Sequence, residues 1–167
     1  HEVHGEIYRH YRRLDEDGGL LGLPTSGEVA APAGGRRSEF QRGTIYWSRQ
    51  TGAFEVHGAI RDRYKARGGP GGFLGYPITD ESDVVDARGR PTGGKLSRFE
   101  GGTIYWSKGS GAREVHGAIR DLYEQMGGPR SRLGYPITDE SGVTGTAIRY
   151  NDFQKGIIVK RPSAAAR

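Results

Sequence analysis

Residues 114–136 read EVHGAIRDLYEQMGGPRSRLGYP, and this stretch has two further copies in the chain. Residues 55–77 read EVHGAIRDRYKARGGPGGFLGYP, and residues 2–24 read EVHGEIYRHYRRLDEDGGLLGLP. The valine and the leucine of the closing Leu-Gly-x-Pro are 18 positions apart in every copy. An identical spacing indicates one structural unit that is repeated three times.

The repeats divide the chain into three units. We expect residues 1–161 to form one domain, and residues 162–167, which have little to bury, to form a flexible tail. The units extend over about residues 2–54, 55–113 and 114–161. The length varies only between the motif proline and the next phenylalanine, so we expect a surface hairpin tip in that segment.

Three kinds of position recur in all units, and we expect them to be structural. They are His4, His57 and His116; Leu21, Leu74 and Leu133; and Pro24, Pro77 and Pro136. Each unit supplies one such histidine, without the i, i+4 partner of a helical zinc site. We therefore expect these histidines to pack or to form hydrogen bonds, and we expect no metal and no cofactor.

Apolar residues at helical spacing predict one amphipathic helix of about four turns in each unit. In the third unit these residues are Ala112, Val115, Ile119, Leu122, Tyr123 and Met126. Glycine pairs followed by proline end the helix, as at residues 127–129. Val84-Val85 and residues 96–99 flank a turn-rich stretch as in a hairpin, and residues 103–107, TIYWS, have strand composition. Each unit is thus predicted to be a helix followed by a three-stranded meander.

The predicted fold class is α+β, with three tandem units of this kind. The first unit begins with a helix that no strand precedes, and the last unit ends with a strand that no helix follows. We expect the units to close into a pseudo-threefold, propeller-like ring that leaves no exposed edge. In such a ring the helix of residues 2–14 contacts the strand of residues 157–160. An open stack is the alternative.

Composition excludes several classes of function. The 25 basic residues are interleaved with 20 acidic ones, so the net charge of +5 forms no basic arm for nucleic acid. There is no cysteine, and no apolar run approaches the roughly 20 residues that span a bilayer. The chain starts at His1 without a leader, and we expect any secretion signal to lie outside it.

Paired carboxylates raise the question of catalysis. Asp80-Glu81 and Asp139-Glu140 could form the acid and base of a glycoside hydrolase. Neighbours in an extended segment point to opposite faces, however, so such a pair would have to form between units. The sequence also lacks a Gly-x-Ser-x-Gly elbow and a phosphate-binding loop. We expect structural roles for these carboxylates and no enzymatic activity.

The aromatic residues of the TIYWS strand are the candidate binding residues. Ile104 and Trp106 share one face of the strand, and Tyr105 lies on the other. The third unit has Lys160 where the others have Trp47 and Trp106, and lysine is rarely buried. We expect both tryptophans to be partly exposed and to stack on sugar rings, with Tyr46 and Tyr105 as second choices. Filling of a small core is the alternative.

The repeated phrase resembles the LGFP repeat. The resemblance rests on Phe-x-x-Gly-x-Ile-Tyr-Trp-Ser, then Gly-Ala, Val-x-Gly-x-Ile, a Gly-Gly turn and Leu-Gly-Tyr-Pro-x-Thr-Asp-Glu, and it covers nearly the whole chain. Tyr76, Tyr135 and Leu23 replace the phenylalanine of the name. The resemblance implies a secreted, non-catalytic module of actinobacteria that holds a fused or associated envelope enzyme to the arabinogalactan-containing wall.

Two further functions remain open. Repeats with variable hairpin tips, such as residues 87–94, can present a surface to a protein partner of the cell envelope. Hydrolysis of wall glycan is the other, and it would require cleavage of the polysaccharide that depends on Glu81 or Glu140. The expected partner is a cell-wall glycan, with no nucleic acid and no membrane insertion.

Overall fold

The computed structural model describes residues 1–15 and 19–164. The helices are α1 (Gly5–Asp15), α2 (Gly58–Ala66) and α3 (Gly117–Gln125). The strands are β1 (Val29–Ala30), β2 (Arg36–Glu39), β3 (Gly43–Ser48), β4 (Gly52–His57), β5 (Ser82–Val85), β6 (Pro91–Arg98), β7 (Gly102–Ser107), β8 (Gly111–His116), β9 (Ser141–Gly142), β10 (Arg149–Phe153) and β11 (Gly156–Lys160). Exposed residues 162–164 carry no helix or strand, whereas the rest of the predicted tail, residues 165–167, lies outside the described part.

The strands form three antiparallel sheets, one for each unit. Sheet 1 has the order β1-β2-β3-β4, sheet 2 the order β5-β6-β7-β8, and sheet 3 the order β11-β10-β9. The hairpin predicted around residues 87–94 is present as β5 and β6, and the TIYWS segment is β7. The α+β repeat is therefore confirmed, with three helices and three sheets.

The helices are shorter than predicted, and in the second and third copies the first part of the apolar stripe is a strand. Ala112 and Val115 lie in β8, which pairs with β7 along its whole length. α3 begins at Gly117, whose φ of 51° marks the break between strand and helix, and it has 9 residues, or about two and a half turns. The predicted three-stranded meander is therefore a four-stranded sheet in the first two units. Helical spacing misled here because Val115 and Ile119 face the same core from two different elements.

Helices and sheets alternate in a series of layers: α1, sheet 1, α2, sheet 2, α3 and sheet 3. The first core joins α1 to one face of sheet 1 through Ile7 and Ile45. The second core contains Tyr46 from the other face of sheet 1, Tyr64 of α2 and Ile104 of sheet 2. The third core joins sheet 2 through α3 to sheet 3. Each sheet of the first two units is thus covered by a helix on both faces.

The Leu-Gly-x-Pro motif ties each helix to its sheet in the same way three times. Leu21, Leu74 and Leu133 are buried in the three cores. The prolines form isolated β-bridges with the phenylalanines: Pro24 with Phe40, Pro77 with Phe99 and Pro136 with Phe153. A helix tyrosine donates to the motif glycine carbonyl: Tyr11 to Gly22 at 3.1 Å, Tyr64 to Gly75 at 2.6 Å and Tyr123 to Gly134 at 2.6 Å. The structural role expected for these leucines and prolines matches this geometry.

The predicted closure of the units into a ring is not confirmed. α1 packs against β3 and β4, and β11 packs against α3. Ile157 and Val159, which closure would bury, are 52% and 46% exposed. Among the described residues, the three cores lie between consecutive layers, and none of them contains residues of both α1 and β11. The cores follow the order of the layers along the chain, and closure into a ring stays a prediction.

Candidate functional site

A groove beside Trp106 brings together one predicted binding residue and several polar side chains. It has an open volume of about 530 Å³, and we call it the Trp106 groove. Its lining residues are His57, Gly58, Ala59, Ile60, Glu81, Lys95 and Trp106. The first turn of α2 forms one wall, while β6 and β7 supply Lys95 and Trp106 on the other. The groove therefore lies at the junction between a helix and the next sheet.

Trp106 is half-buried in this groove. Its inner part packs against the second core, together with residues such as Ile104 and Ala112. Trp47 is likewise half-buried and packs against the first core. The expectation that both tryptophans are partly exposed is thus met, and each also contributes to a core. Each tryptophan is thus held by core packing while part of its surface stays open to solvent.

A basic residue lies directly across the strand pair from each tryptophan. Lys95 pairs with Trp106, and Arg36 pairs with Trp47. Lys95 Nζ also lies 2.5 Å from Asp83 Oδ1. Sequence reasoning did not identify these basic residues, although each stands 11 positions before its tryptophan. That constant spacing is the signal that could have found them.

His57 lies between two carboxylates on the opposite wall. Its Nδ1 lies 2.7 Å from Glu55 Oε2, and its Nε2 lies 3.2 Å from Glu81 Oε1. The hydrogen bonds that His57 donates to Glu55 and Glu81 raise its pKa to about 10, against the opposing effect of burial. The imidazole is therefore protonated at neutral pH, and both of its nitrogens donate. A protonated ring cannot ligate a metal, and hydrogen bonding is the role expected for this histidine.

The same four positions recur in the other units. The first unit has His4, Glu28, Arg36 and Trp47, and the third has His116, Glu140, Arg149 and Lys160. Glu28 lies 3.3 Å from His4 Nδ1, and Glu140 lies 3.3 Å from His116 Nε2. The third unit thus keeps the histidine–glutamate contact but presents an exposed lysine in place of the aromatic ring.

Tyr46 and Tyr105 do not offer a face for stacking. Each side chain is 2% exposed, and its ring lies edge-on to the tyrosine of the following helix, Tyr64 or Tyr123. Burial raises the pKa of both hydroxyls, that of Tyr46 to about 12. Their choice as secondary platforms is corrected by this burial, because a ring in the core cannot meet a sugar.

The tyrosines reach the surface only at the base of a different groove. That groove lies near the Gly-Gly-Pro turn, and Tyr105 shares its lining with Arg98 and Glu124. Tyr46 lines the equivalent groove in the preceding unit, together with Glu39 and Lys65. The tyrosines can therefore present an edge or a hydroxyl to a ligand, but not a ring face.

The acidic pairs have structural partners. Asp80 Oδ1 accepts the backbone N–H of Glu55 at 2.9 Å, and Asp139 Oδ1 accepts that of Glu114 at 3.0 Å. The glutamate of each pair contacts the histidine that precedes the helix. Both carboxylates of each pair thus hold the strand-to-helix junction in place. Among residues 1–15 and 19–164, no group of three His, Cys, Asp or Glu side chains could hold a metal ion.

Comparison with models of known protein families gives one match. The family model described as the LGFP repeat matches residues 21–72, 74–131 and 133–167. No curated protein matches the chain significantly. Within the described part of the chain, no helix is long and apolar enough to cross a membrane.

Proposed function

The chain belongs to the LGFP repeat family, and we propose that it is a non-catalytic module that binds cell-wall polysaccharide. The observation that carries the proposal is the half-buried Trp106 in a groove with charged side chains. A flat ring held by core packing can stack on the apolar face of a sugar at little cost in conformational entropy. Lys95 and Glu81 then offer a donor and an acceptor for sugar hydroxyls.

The proposed ligand is a glycan of the actinobacterial wall, with arabinogalactan as the first candidate. Two partly exposed tryptophans on successive units support binding of a polymer, because two weak contacts on one chain add through effective concentration. The module would act outside the cell and hold a fused or associated envelope enzyme at the wall. The third unit, with Lys160 in place of tryptophan, contributes less to this binding.

Retention on insoluble wall polymer tests the proposal. We expect the protein to be retained by purified arabinogalactan or peptidoglycan and not by an unrelated glycan such as dextran. Trp106→Ala should weaken retention at least roughly tenfold, the loss expected when one stacking contact worth about 1.4 kcal/mol is removed. Trp47→Ala should have a similar effect, and the double variant should abolish retention.

The control for this test is a buried ring that does not line the Trp106 groove. Tyr105→Phe removes a buried hydroxyl and should leave retention unchanged while the fold persists. Each variant's melting temperature is measured alongside, because a fully buried tryptophan would cost about 3–5 kcal/mol on truncation. A steep fall in melting temperature for Trp106→Ala, with normal retention of the folded fraction, would refute the stacking role.

Other outcomes of the same assay separate the remaining functions. Retention by no wall polymer, together with co-purification of one envelope protein, would favour a protein-interaction module that uses the hairpin tip at residues 86–90. Release of soluble sugar that is lost with Glu81→Gln would indicate hydrolysis. We expect neither outcome. Hydrolysis in particular is not expected, because the Glu81 carboxylate is already in contact with His57.

A further inference from the structure

Three arginines converge on one carboxylate at the junction between the second and third units. Arg63 Nη1 lies 2.8 Å and Arg67 Nη2 lies 2.7 Å from Asp139 Oδ2. Arg113 Nη1 lies 4.0 Å from the same oxygen. We call Arg63, Arg67 and Arg113 the arginine cluster. Their side chains are about one-third exposed, at 29%, 32% and 33%, so part of each side chain reaches solvent.

The carboxylates at this place do not balance the arginine cluster. All three guanidinium groups approach the same oxygen of Asp139, because its other oxygen accepts the backbone N–H of Glu114. The Glu114 carboxylate is more distant, with Oε1 3.5 Å from Arg67, and its Oε2 contacts His116. Three guanidinium groups thus face two carboxylates. Arg67 Nε is also buried without a hydrogen-bond partner. The junction holds an excess of positive charge and at least one unused donor.

The equivalent junction between the first and second units shows that the fold does not require these arginines. His10, Leu14 and Phe54 occupy the positions of Arg63, Arg67 and Arg113. There Asp80 meets His10 Nε2 at 2.7 Å, and Phe54 packs edge-on to the His10 ring at 6.0 Å between centroids. Arg13 Nη2 lies 2.9 Å from His10 Nδ1, so the basic partner of Asp80 is itself in contact with one arginine. A histidine and two apolar residues therefore take the three equivalent positions, whereas the arginine cluster places three guanidinium groups around one carboxylate.

We propose that the arginine cluster binds an oxyanion group, phosphate or carboxylate, carried by an anionic polymer of the envelope. The guanidinium fork matches both groups and can bind either through two parallel hydrogen bonds. An oxyanion would supply the missing negative charge and an acceptor for the arginine donors that face solvent. Arg67 caps the last turn of α2, whereas the Trp106 groove uses the first turn, so the two sites are separate.

Titration with simple polyanions tests this site on the intact chain. Polyphosphate probes phosphate, polygalacturonate probes carboxylate, and neutral dextran is the negative control. We expect polyanion binding by calorimetry that weakens as salt is added. The variant Arg67→Leu with Arg113→Phe carries the two apolar residues of the first junction and keeps Arg63, and it should bind at least roughly tenfold more weakly. The preferred polymer distinguishes phosphate from carboxylate.

The matched control removes two arginines elsewhere. Arg88→Leu with Arg132→Leu changes the net charge equally at exposed positions and should alter affinity less than about twofold. An equal loss in both double variants would mean non-specific attraction, and it would overturn the proposal. So would the absence of polyanion binding by the wild type.

Three further measurements keep the test independent of folding and of glycan binding. Arg67→Lys keeps the charge but removes the fork, so it should weaken binding several-fold in a protein with unchanged circular dichroism. The NMR signals of the arginine side chains should shift on polyphosphate addition to the wild type, and absence of shifts would contradict the proposal. Trp106→Ala should leave polyanion affinity unchanged, so failure at one site is separable from failure at the other.

Discussion

Among single residues, His57 shows how a buried charge is stabilised in the repeat. Glu55 is 1% exposed and would be costly to bury as an unpaired anion. It accepts hydrogen bonds from the His57 ring and from the backbone N–H of Glu81, the latter at 2.8 Å. The protonated ring in turn reaches Glu81 at the wall of the groove. One histidine thus joins the strand, the following loop and the groove.

The raised pKa of His57 predicts a pH dependence of stability. Its value of about 10 in the folded chain exceeds the ordinary value of 6.5, so the folded state binds the proton more tightly. The resulting stabilisation is complete below about pH 6.5 and is lost as the pH rises towards about 10. Urea unfolding across this range should show a falling free energy of unfolding in the wild type and a flatter profile in His57→Gln.

The matched control for this prediction is His4→Gln. His4 occupies the same position in the first unit, but its side chain is 59% exposed. Its variant should retain the wild-type slope, because other groups that titrate near pH 10 are common to both proteins. Parallel profiles for the wild type and His57→Gln would show that the proton on His57 does not couple to folding.

The two aromatic positions illustrate what one sequence can predict about a site. Lysine rarely occupies a core, so the presence of Lys160 at the tryptophan position indicated that this position is partly exposed. The exchange of tyrosine for Val159 carried no such information, because valine suits both a core and a half-buried surface. The partners of the tryptophan also depend on strand register, which sets Lys95 opposite Trp106. Local composition does not specify that register.

Among the elements, the strand-to-helix junction depends on a glycine in the left-handed region. Gly58 and Gly117 both have φ of 51°, and Gly5 in the first unit has φ of 58°. This conformation turns the chain from β8 into α3 and places Val115 and Ile119 in one core. Sequence periodicity alone could not separate the two elements, because their apolar residues share a core and keep helical spacing.

Alanine at Gly117 tests the importance of this backbone conformation. A Cβ built there meets no atom within 4 Å, so the substitution should cost only the left-handed strain of about 1–2 kcal/mol. Chemical denaturation of Gly117→Ala measures this cost. Gly109→Ala is the control, since Gly109 also has open space and lacks a positive φ, and its change should stay within about 0.5 kcal/mol. Equal stability of the two variants would contradict the argument.

Across the molecule, the repeat explains why the units and their order could be predicted while closure could not. The spacing from valine to leucine identified each unit, and each unit has the same bridges and tyrosine hydrogen bonds. Closure, in contrast, depends on the angle between successive layers, which no local pattern encodes. In the structure each core joins a helix to the sheets beside it, so contacts pass from layer to neighbouring layer.

A series of cores predicts that damage at one end stays local. Leu21 is 1% exposed in the first core, and Leu21→Ala should cost about 2–5 kcal/mol through lost contacts and a cavity. Hydrogen exchange should accelerate in α1 and sheet 1, whereas α3 and sheet 3 should keep wild-type protection, because units that touch only their neighbours open separately. The reciprocal variant, Leu133→Ala, should accelerate exchange in α3 and sheet 3 and spare α1. Leu74→Ala lies in the middle core and should affect both neighbours. If Leu21→Ala accelerates exchange in β10 and β11 as much as in β3 and β4, the two ends are coupled and the open series is wrong.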